Sequence, residues 1–175
     1  MTTFKAQLIE DEGFYSVKRV ITILSIVSGF FVGLFSSSVT NKVYYVIPLL
    51  VIVGIILYFQ LRYKKQMDQK LGQRKILIDL KSIEIKGKDD QSLQKIEIDS
   101  RDHIIVKDTY QIPEETLRSS LNEMAGDPTK NYIILKKNGD EHRFEFLVDS
   151  HYMITQLNKL IHLWKEKGVS ITSIS

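Results

Sequence analysis

The four histidines, His103, His142, His151 and His162, are the first residues to test for chemistry. No two stand at the i, i+3 or i+4 spacing that sets a pair of imidazoles on one helical face, so no helical metal clamp is written here. Glu141 beside His142, and Asp149 near His151, read as ordinary neighbours on solvated turns. With no cysteine, the chain has neither a disulfide nor a thiolate site. Lys86-Gly87-Lys88-Asp89-Asp90 sets lysine beside glycine as a phosphate loop does. It lacks the Gly-x-x-x-x-Gly-Lys pattern and runs into two acids, so it reads as a polar turn. Lys81, Lys86 and Lys88 are diluted by Glu84, Asp89 and Asp90, which makes a poor basic loop for phosphoinositides. Asp99, Asp102 and Asp108 gather carboxylates in a short run without the spacing of a calcium loop, and a turn between strands accounts for them. No nucleophile, acid–base pair, metal set or cofactor motif can be named, and the expectation is a non-enzymatic chain without a cofactor.

The elements that carry these residues are legible from periodicity. Two-residue alternation marks strands at Lys75–Leu80, Ser82–Lys86, Leu93–Asp99, His103–Asp108, Asn131–Lys137 and Glu141–Val148. Ile96 and Ile98 alternate with Lys95, Glu97 and Asp99; Phe144, Phe146 and Val148 alternate with Arg143 and Glu145. One apolar face and one polar face is the antiparallel signature. Asn138-Gly139 predicts a tight hairpin between the last two strands. A helix is expected from Pro113 to Gly126, with Leu117, Leu121 and Met124 as its apolar face. A second is expected from about Ser150 to Lys167, where Met153, Leu157, Leu160, Ile161 and Trp164 form a buried stripe ending at Gly168. Trp164 reads as core. Val169 to Ser175 is a β-prone tail whose pairing stays open.

Ahead of this domain lie two uncharged apolar runs, Val20–Val39 and Val43–Leu61. Each is roughly 20 residues, enough to cross the ~30 Å hydrocarbon core of a bilayer as a helix. The turn between them, Thr40-Asn41-Lys42, permits only an antiparallel return. Ser25, Gly29, Gly33 and Ser37 recur every four residues, a ridge on which another helix can pack closely. Its simplest partner is the second span of the same chain around Gly54; a second copy is the alternative. Phe30, Phe31 and Phe35 lie off that ridge and face lipid. Tyr44, Tyr45, Tyr58 and Tyr63 sit at the span ends as interfacial anchors. The first span is too long, and follows too acidic a segment, for a usual cleaved signal peptide.

Charge is divided along the chain. Up to Lys75 there are 10 basic and 4 acidic residues; from Ile76 onward there are 14 basic and 17 acidic. The folded domain is therefore slightly acidic, a poor nucleic-acid binder. Lys18, Arg19, Arg62, Lys64, Lys65 and Lys70, with Arg74 and Lys75, flank the spans, whereas Lys42 stands alone between them. The positive-inside rule then places both termini in the cytoplasm of a multi-pass inner (plasma) membrane protein. Near an anionic inner leaflet each such cation contributes about 1 kcal/mol of attraction.

The expected organisation is an N-terminal cytoplasmic segment at 1–16, a two-helix hairpin at 17–62, a basic linker at 63–74, a β domain with its closing helix at 75–168, and a tail at 169–175. Residues 1–16 stay unassigned between disorder and a short interfacial helix carrying Phe4, Leu8 and Ile9. The fold class is α+β: a transmembrane helical hairpin followed by a small antiparallel β-sheet or barrel closed by a C-terminal helix.

Antiparallel strands, the Asn-Gly hairpin into Phe144-Glu145-Phe146, and a final helix with Leu157, Leu160, Ile161 and Trp164 resemble the end of a pleckstrin-homology-like domain. With the hairpin in front, the chain resembles bacterial two-span proteins of the bacterial-PH and YcxB-like kind. The likeness runs from Lys75 to Lys167 and is specific from Asn131. Two departures stand out: six strands are legible where seven are expected, and the Pro113–Gly126 helix falls inside the sheet region. A second, weaker resemblance is to two-span antiphage effectors, in which a small β-barrel follows a similar hairpin. The first likeness implies a membrane-anchored recognition or scaffold module that binds a protein, a lipid or a sister chain. The second implies an antiviral-defence effector, in which a small ligand such as a cyclic nucleotide makes the hairpins oligomerise and disrupt the membrane. Both are arguments from architecture.

Overall fold

The computed structural model describes residues 2–38, 46–71, 73–112 and 130–174. The described residues fall into two compact units, one built from all the strands and the C-terminal helix, the other from two long helices. The whole is α+β, with eight strands and three helices among the described residues.

The strands are β1 (Phe4–Leu8), β2 (Lys75–Ile78), β3 (Ser82–Lys86), β4 (Ser92–Glu97), β5 (His103–Lys107), β6 (Tyr132–Lys137), β7 (Asp140–Leu147) and β8 (Ser170–Ile174). They form one sheet in the order β4-β3-β2-β1-β7-β6-β5-β8. Every neighbouring pair is antiparallel except β5–β8, which is parallel. The six strands expected from alternation are all present. Asn138 (φ 54°) and Gly139 (φ 92°) make the β6–β7 turn, both in the left-handed region that a two-residue hairpin of this type demands.

The N-terminal segment corrects the reading of residues 1–16. Phe4, Leu8 and Ile9 are spaced as on a helix, but Phe4, Ala6 and Leu8 alternate with Lys5 and Gln7, and alternation prevails. Their inward side chains are buried, and β1 lies between β2 and β7 in mid-sheet. The tail pairs as well: His103–Lys107 runs parallel to Ser170–Ile174 in register.

One helix packs against this sheet. It is the C-terminal helix, numbered last in the chain (α3, His151–Glu166). Leu157, Leu160 and Trp164 are fully buried among Phe4, Ile76, Ile78, Ile104, Ile133, Leu135 and Phe146. Phe4 meets Phe146 edge-on at 5.1 Å between centroids. Trp164 is core, and its indole N–H donates to the Leu80 carbonyl at 3.3 Å, so its one polar atom is not stranded. Gly168, at φ 78°, ends the helix where glycine was expected to.

The side chain of buried Asn131 acts as a missing strand partner for Gln111. Its Oδ1 accepts the Gln111 N–H at 3.1 Å and its Nδ2 donates to the Gln111 carbonyl at 2.8 Å. Nearby, the Tyr110 hydroxyl accepts the Lys107 N–H and donates to the Tyr132 carbonyl. Burial pushes the Tyr110 phenol well above its ordinary range, against the opposing pull of the Lys107 N–H.

The second unit is an antiparallel helix pair, α1 (Gly13–Ser38) and α2 (Val46–Lys70). Asp11 beside Lys70 and Ser25 beside Gln60 fix the antiparallel sense. The Asp11 carboxylate accepts the Gly13 N–H at 2.7 Å and caps the start of α1. Thr22 and Ser25 turn their hydroxyls onto the carbonyls of Lys18 and Ile21, four residues back. That satisfies them within their own helix. The Thr40-Asn41-Lys42 turn, Tyr44, Tyr45 and the Pro113–Gly126 helix lie outside the described residues.

Candidate functional site

The residues that could do chemistry are dispersed. His103 lies on β5 with its Nδ1 2.8 Å from the Ser170 hydroxyl; His142 stacks on Phe144 within β7; His151 opens α3; His162 pairs with Glu166 near its end. Among the described residues no group of three or more His, Cys, Asp or Glu is placed to hold a metal ion. Lys86–Asp90 is a turn between β3 and β4, closed by the Gly87 N–H on the Gln91 carbonyl, with Asp90 left-handed. The acidic run after β4 is also a turn. Buried Asp102 accepts the Asp99 N–H at 2.8 Å, and Lys137 reaches over from the end of β6 to the same carboxylate at 3.3 Å. The Lys137 ammonium also donates to the Glu97 carbonyl at 2.6 Å. It ties together the ends of β4 and β6.

What distinguishes the chain is its helix pair. Gly13–Gly33 is long and apolar enough to cross a membrane by length and composition, the one such helix among the described residues. Large apolar side chains stand exposed along both helices. On α1 they include Val27, Phe30 and Val32; on α2 they run through Leu50, Val51, Ile52, Ile55, Leu57 and Phe59 to Leu61, which is 70 % exposed. Soluble surfaces rarely expose so much contiguous apolar area.

Along the small-residue ridge, Ser25 meets α2 and the glycines leave room for a side chain. A Cβ built at Gly29, Gly33 or Gly54 would meet nothing within 4 Å. Ser25 touches Gln60, whereas no side chain crowds the Cβ position of the glycines. Ser25, Gly29 and Gly33 continue the stripe of Phe14, Lys18 and Thr22, but burial along it ends at Thr22 and the three small residues are exposed. Ser37 side-chain contacts lie outside the described residues.

The basic set changes too. Lys18 falls on the buried face of α1 and is not presented at a surface. Lys70 pairs with Asp11 at 2.8 Å, and Arg74 with Glu10 at the same distance. The acids that weaken the N-terminal charge signal in sequence thus neutralise specific cations in space. Arg19, Arg62, Lys64 and Lys65 remain exposed. The Lys70 ammonium, helped by the Gly13 N–H, holds the Asp11 carboxyl below its usual value.

A site that periodicity alone does not reveal lies in the sheet unit. Lys5, Ala6 and Gln7 of β1, Lys75 of β2, Leu147, Asp149 and Met153 line an open cleft of about 180 Å³. In sequence Lys75 stands out only as the start of a strand and as part of the basic flank.

Comparison of the chain with family models, with curated proteins and with solved structures finds no match.

Proposed function

We propose that the chain is a membrane-anchored, non-enzymatic recognition module, in which α1 and α2 cross the inner membrane as a hairpin and the sheet unit works at the cytoplasmic face. The observation that carries this reading is the pairing of β1 with β2. Phe4–Gln7 and Lys75–Ile78 are hydrogen-bonded neighbours, and everything from Gly13 to Lys70 lies between them. A chain that leaves one side of a bilayer through α1 must therefore return before Lys75, and the number of crossings is even. The segment available for the return is α2, whose exposed Leu50–Leu61 stretch supplies the apolar surface. Exposed Arg62, Lys64 and Lys65 at its far end support a cytoplasmic exit.

The sheet order suits the pleckstrin-homology-like reading better than the sequence did, because β1 supplies the seventh antiparallel strand. On that reading the hairpin is inserted between the first and second strands, and the domain binds a protein, a lipid headgroup, a small ligand or a sister chain.

A cysteine-free chain suits single-cysteine labelling with a membrane-impermeant maleimide in intact cells. Thr3→Cys and Ser173→Cys are expected to stay unlabelled until the cells are opened, whereas Asn41→Cys labels at once. Labelling of Thr3→Cys or Ser173→Cys in intact cells would sink the topology.

One observation favours a second reading, the ligand-triggered, membrane-disrupting effector. The glycine face of α1 and Gly54 of α2 are open in the single chain, as a surface reserved for other hairpins would be. Membrane depolarisation on induced expression separates this effector from a passive tether.

A further inference from the structure

β7 leaves the sheet after Leu147, while β1 continues toward Phe4 paired on its β2 side alone. The β1–β7 ladder holds only Gln7–Leu147 and Leu8–Phe146, in contrast to the β1–β2 ladder, which runs from Phe4–Ile78 to Gln7–Lys75. The Leu8 N–H goes to Arg74 on the β2 side and the Ile9 N–H to Glu145 on the β7 side. Strand alternation therefore turns the main-chain groups of Lys5 toward the side that β7 has vacated. The cleft opens here, walled by Lys5, Gln7, Lys75 and Asp149 around the apolar Leu147 and Met153.

The charges around it are unbalanced. Lys75 and Lys86 are directly opposite partners in the β2–β3 ladder. Like charges in that position repel. Among the described residues Lys5, Lys75 and Lys86 have no acid within ion-pair reach, whereas Lys70, Arg74, Lys136 and Arg143 each have one and Lys137 has two. With Lys5 and Lys75 against the single acid Asp149, the lining carries a net positive charge, which attracts anions. At about 180 Å³ it is smaller than the roughly 300–1,000 Å³ of drug-sized sites, so its occupant is the size of a headgroup. Lysine ammoniums suit a phosphoryl group, and Asp149, the one acid on the lining, suits a hydroxyl donor.

We propose that this cleft binds a small hydroxylated organic phosphate, with Lys5 and Lys75 holding the phosphoryl oxygens and Asp149 accepting from a hydroxyl. The inference rests on the recognition-module reading and gives that module its ligand class. Glycerol 3-phosphate in solution and the glycerophosphate headgroup of phosphatidylglycerol share this chemistry.

The test uses the full chain in phosphatidylcholine nanodiscs, with hydrogen exchange at Phe4–Leu8 as readout. Titrated glycerol 3-phosphate is expected to slow exchange in this segment, and Lys5→Ala/Lys75→Ala to weaken the effect about tenfold or more, as loss of charge-assisted hydrogen bonds does. Lys159→Ala, on α3 and outside the cleft, serves as the unaffected control, and unchanged exchange at β5 and β6 shows that the variants fold. Slowing only when phosphatidylglycerol replaces part of the phosphatidylcholine, and lost in the double variant, assigns the site to a lipid headgroup. No slowing in either arm, or slowing that survives Lys5→Ala/Lys75→Ala, overturns the site. Cysteine labelling tests the hairpin independently, so failure of the cleft and failure of the membrane reading are told apart.

Discussion

Asp11 Oδ2 and Lys70 Nζ lie 2.8 Å apart although 59 positions separate them in the chain. The contact joins the start of α1 to the end of α2, so the helix pair is closed at its base by one ion pair. The acid stands at the positive end of one helix dipole and the cation at the negative end of the other, the favourable sense at both. Because Asp11 is held below its ordinary carboxyl value, the sign of its pH dependence is set. Its contribution is fully present above the unfolded carboxylate pKa of about 3.9 and is lost as pH falls through the lowered folded value. The pair is exposed, so the effect is small and screened by salt. Asp11→Asn is expected to lower the thermal midpoint slightly at pH 7 and low salt, an effect that shrinks as pH falls below about 3.9 and as salt rises toward 1 M. A melt in detergent across those conditions checks it, and Asp11→Lys/Lys70→Asp should fall short of the parent midpoint, because the swap reverses both dipole interactions and removes the Asp11 cap.

The keystone of the sheet is β1, and within it Phe4. The ring is 1 % exposed and meets Phe146 edge-on. Phe4→Ala removes a fully buried aromatic and leaves a cavity, a loss of about 3–5 kcal/mol. Since β1 joins β2 to β7, the sheet unit should unfold at lower urea with its cooperativity intact. Thr3→Ala, one residue away and exposed, should change nothing. Urea denaturation followed by Trp164 fluorescence reads both.

That keystone was also the least legible part of the fold, for a physical reason. A five-residue strand offers only three inward positions, and Phe4 with Leu8 satisfies a helical spacing of four as well as alternation. Its partner β2 lies beyond the whole helix pair, so no hairpin signal ties them. The β6–β7 hairpin shows the opposite case: Asn138-Gly139 encodes the turn locally, and the strands on either side alternate for long enough to fix the period. α3 was equally plain, because Met153, Leu157, Leu160 and Trp164 repeat at helical spacing over about three turns. For the sites, the sequence announces signs of charge but not partners. Glu10 and Asp11 weakened a topology signal on paper, and only the fold assigns them to Arg74 and Lys70. Lys5 and Lys75, 70 positions apart, become cleft neighbours only once β1 and β2 are paired.

Gly139 tests the local half of that lesson. Its φ of 92° is open to glycine and costly for other residues, though a Cβ there would meet nothing within 4 Å. The penalty of Gly139→Ala is therefore conformational alone, about 1 kcal/mol. Asn138→Gly keeps the left-handed geometry and should cost less. Equilibrium denaturation of the two variants, side by side, is the check; equal losses would mean that the turn is not held in this form.

Gly29 and Gly33 divide the two readings of the hairpin. Because a side chain at either position meets open space, Gly29→Leu/Gly33→Leu is expected to leave α1 against α2, the Ser25–Gln60 contact and the sheet unit undisturbed. Circular dichroism and the melting point in detergent should match those of the parent chain. In a bilayer the same change abolishes any close approach of a second helix along this face, since association inside lipid depends on backbone proximity at small residues. If the chain is an effector, membrane depolarisation on induction disappears in the double variant while expression and folding persist. If the hairpin is a passive anchor, neither chain depolarises the membrane, and exchanging both helices for an unrelated antiparallel pair leaves binding at the sheet unit unchanged. Depolarisation of equal size in the parent and the double variant would remove this glycine face from any assembling surface.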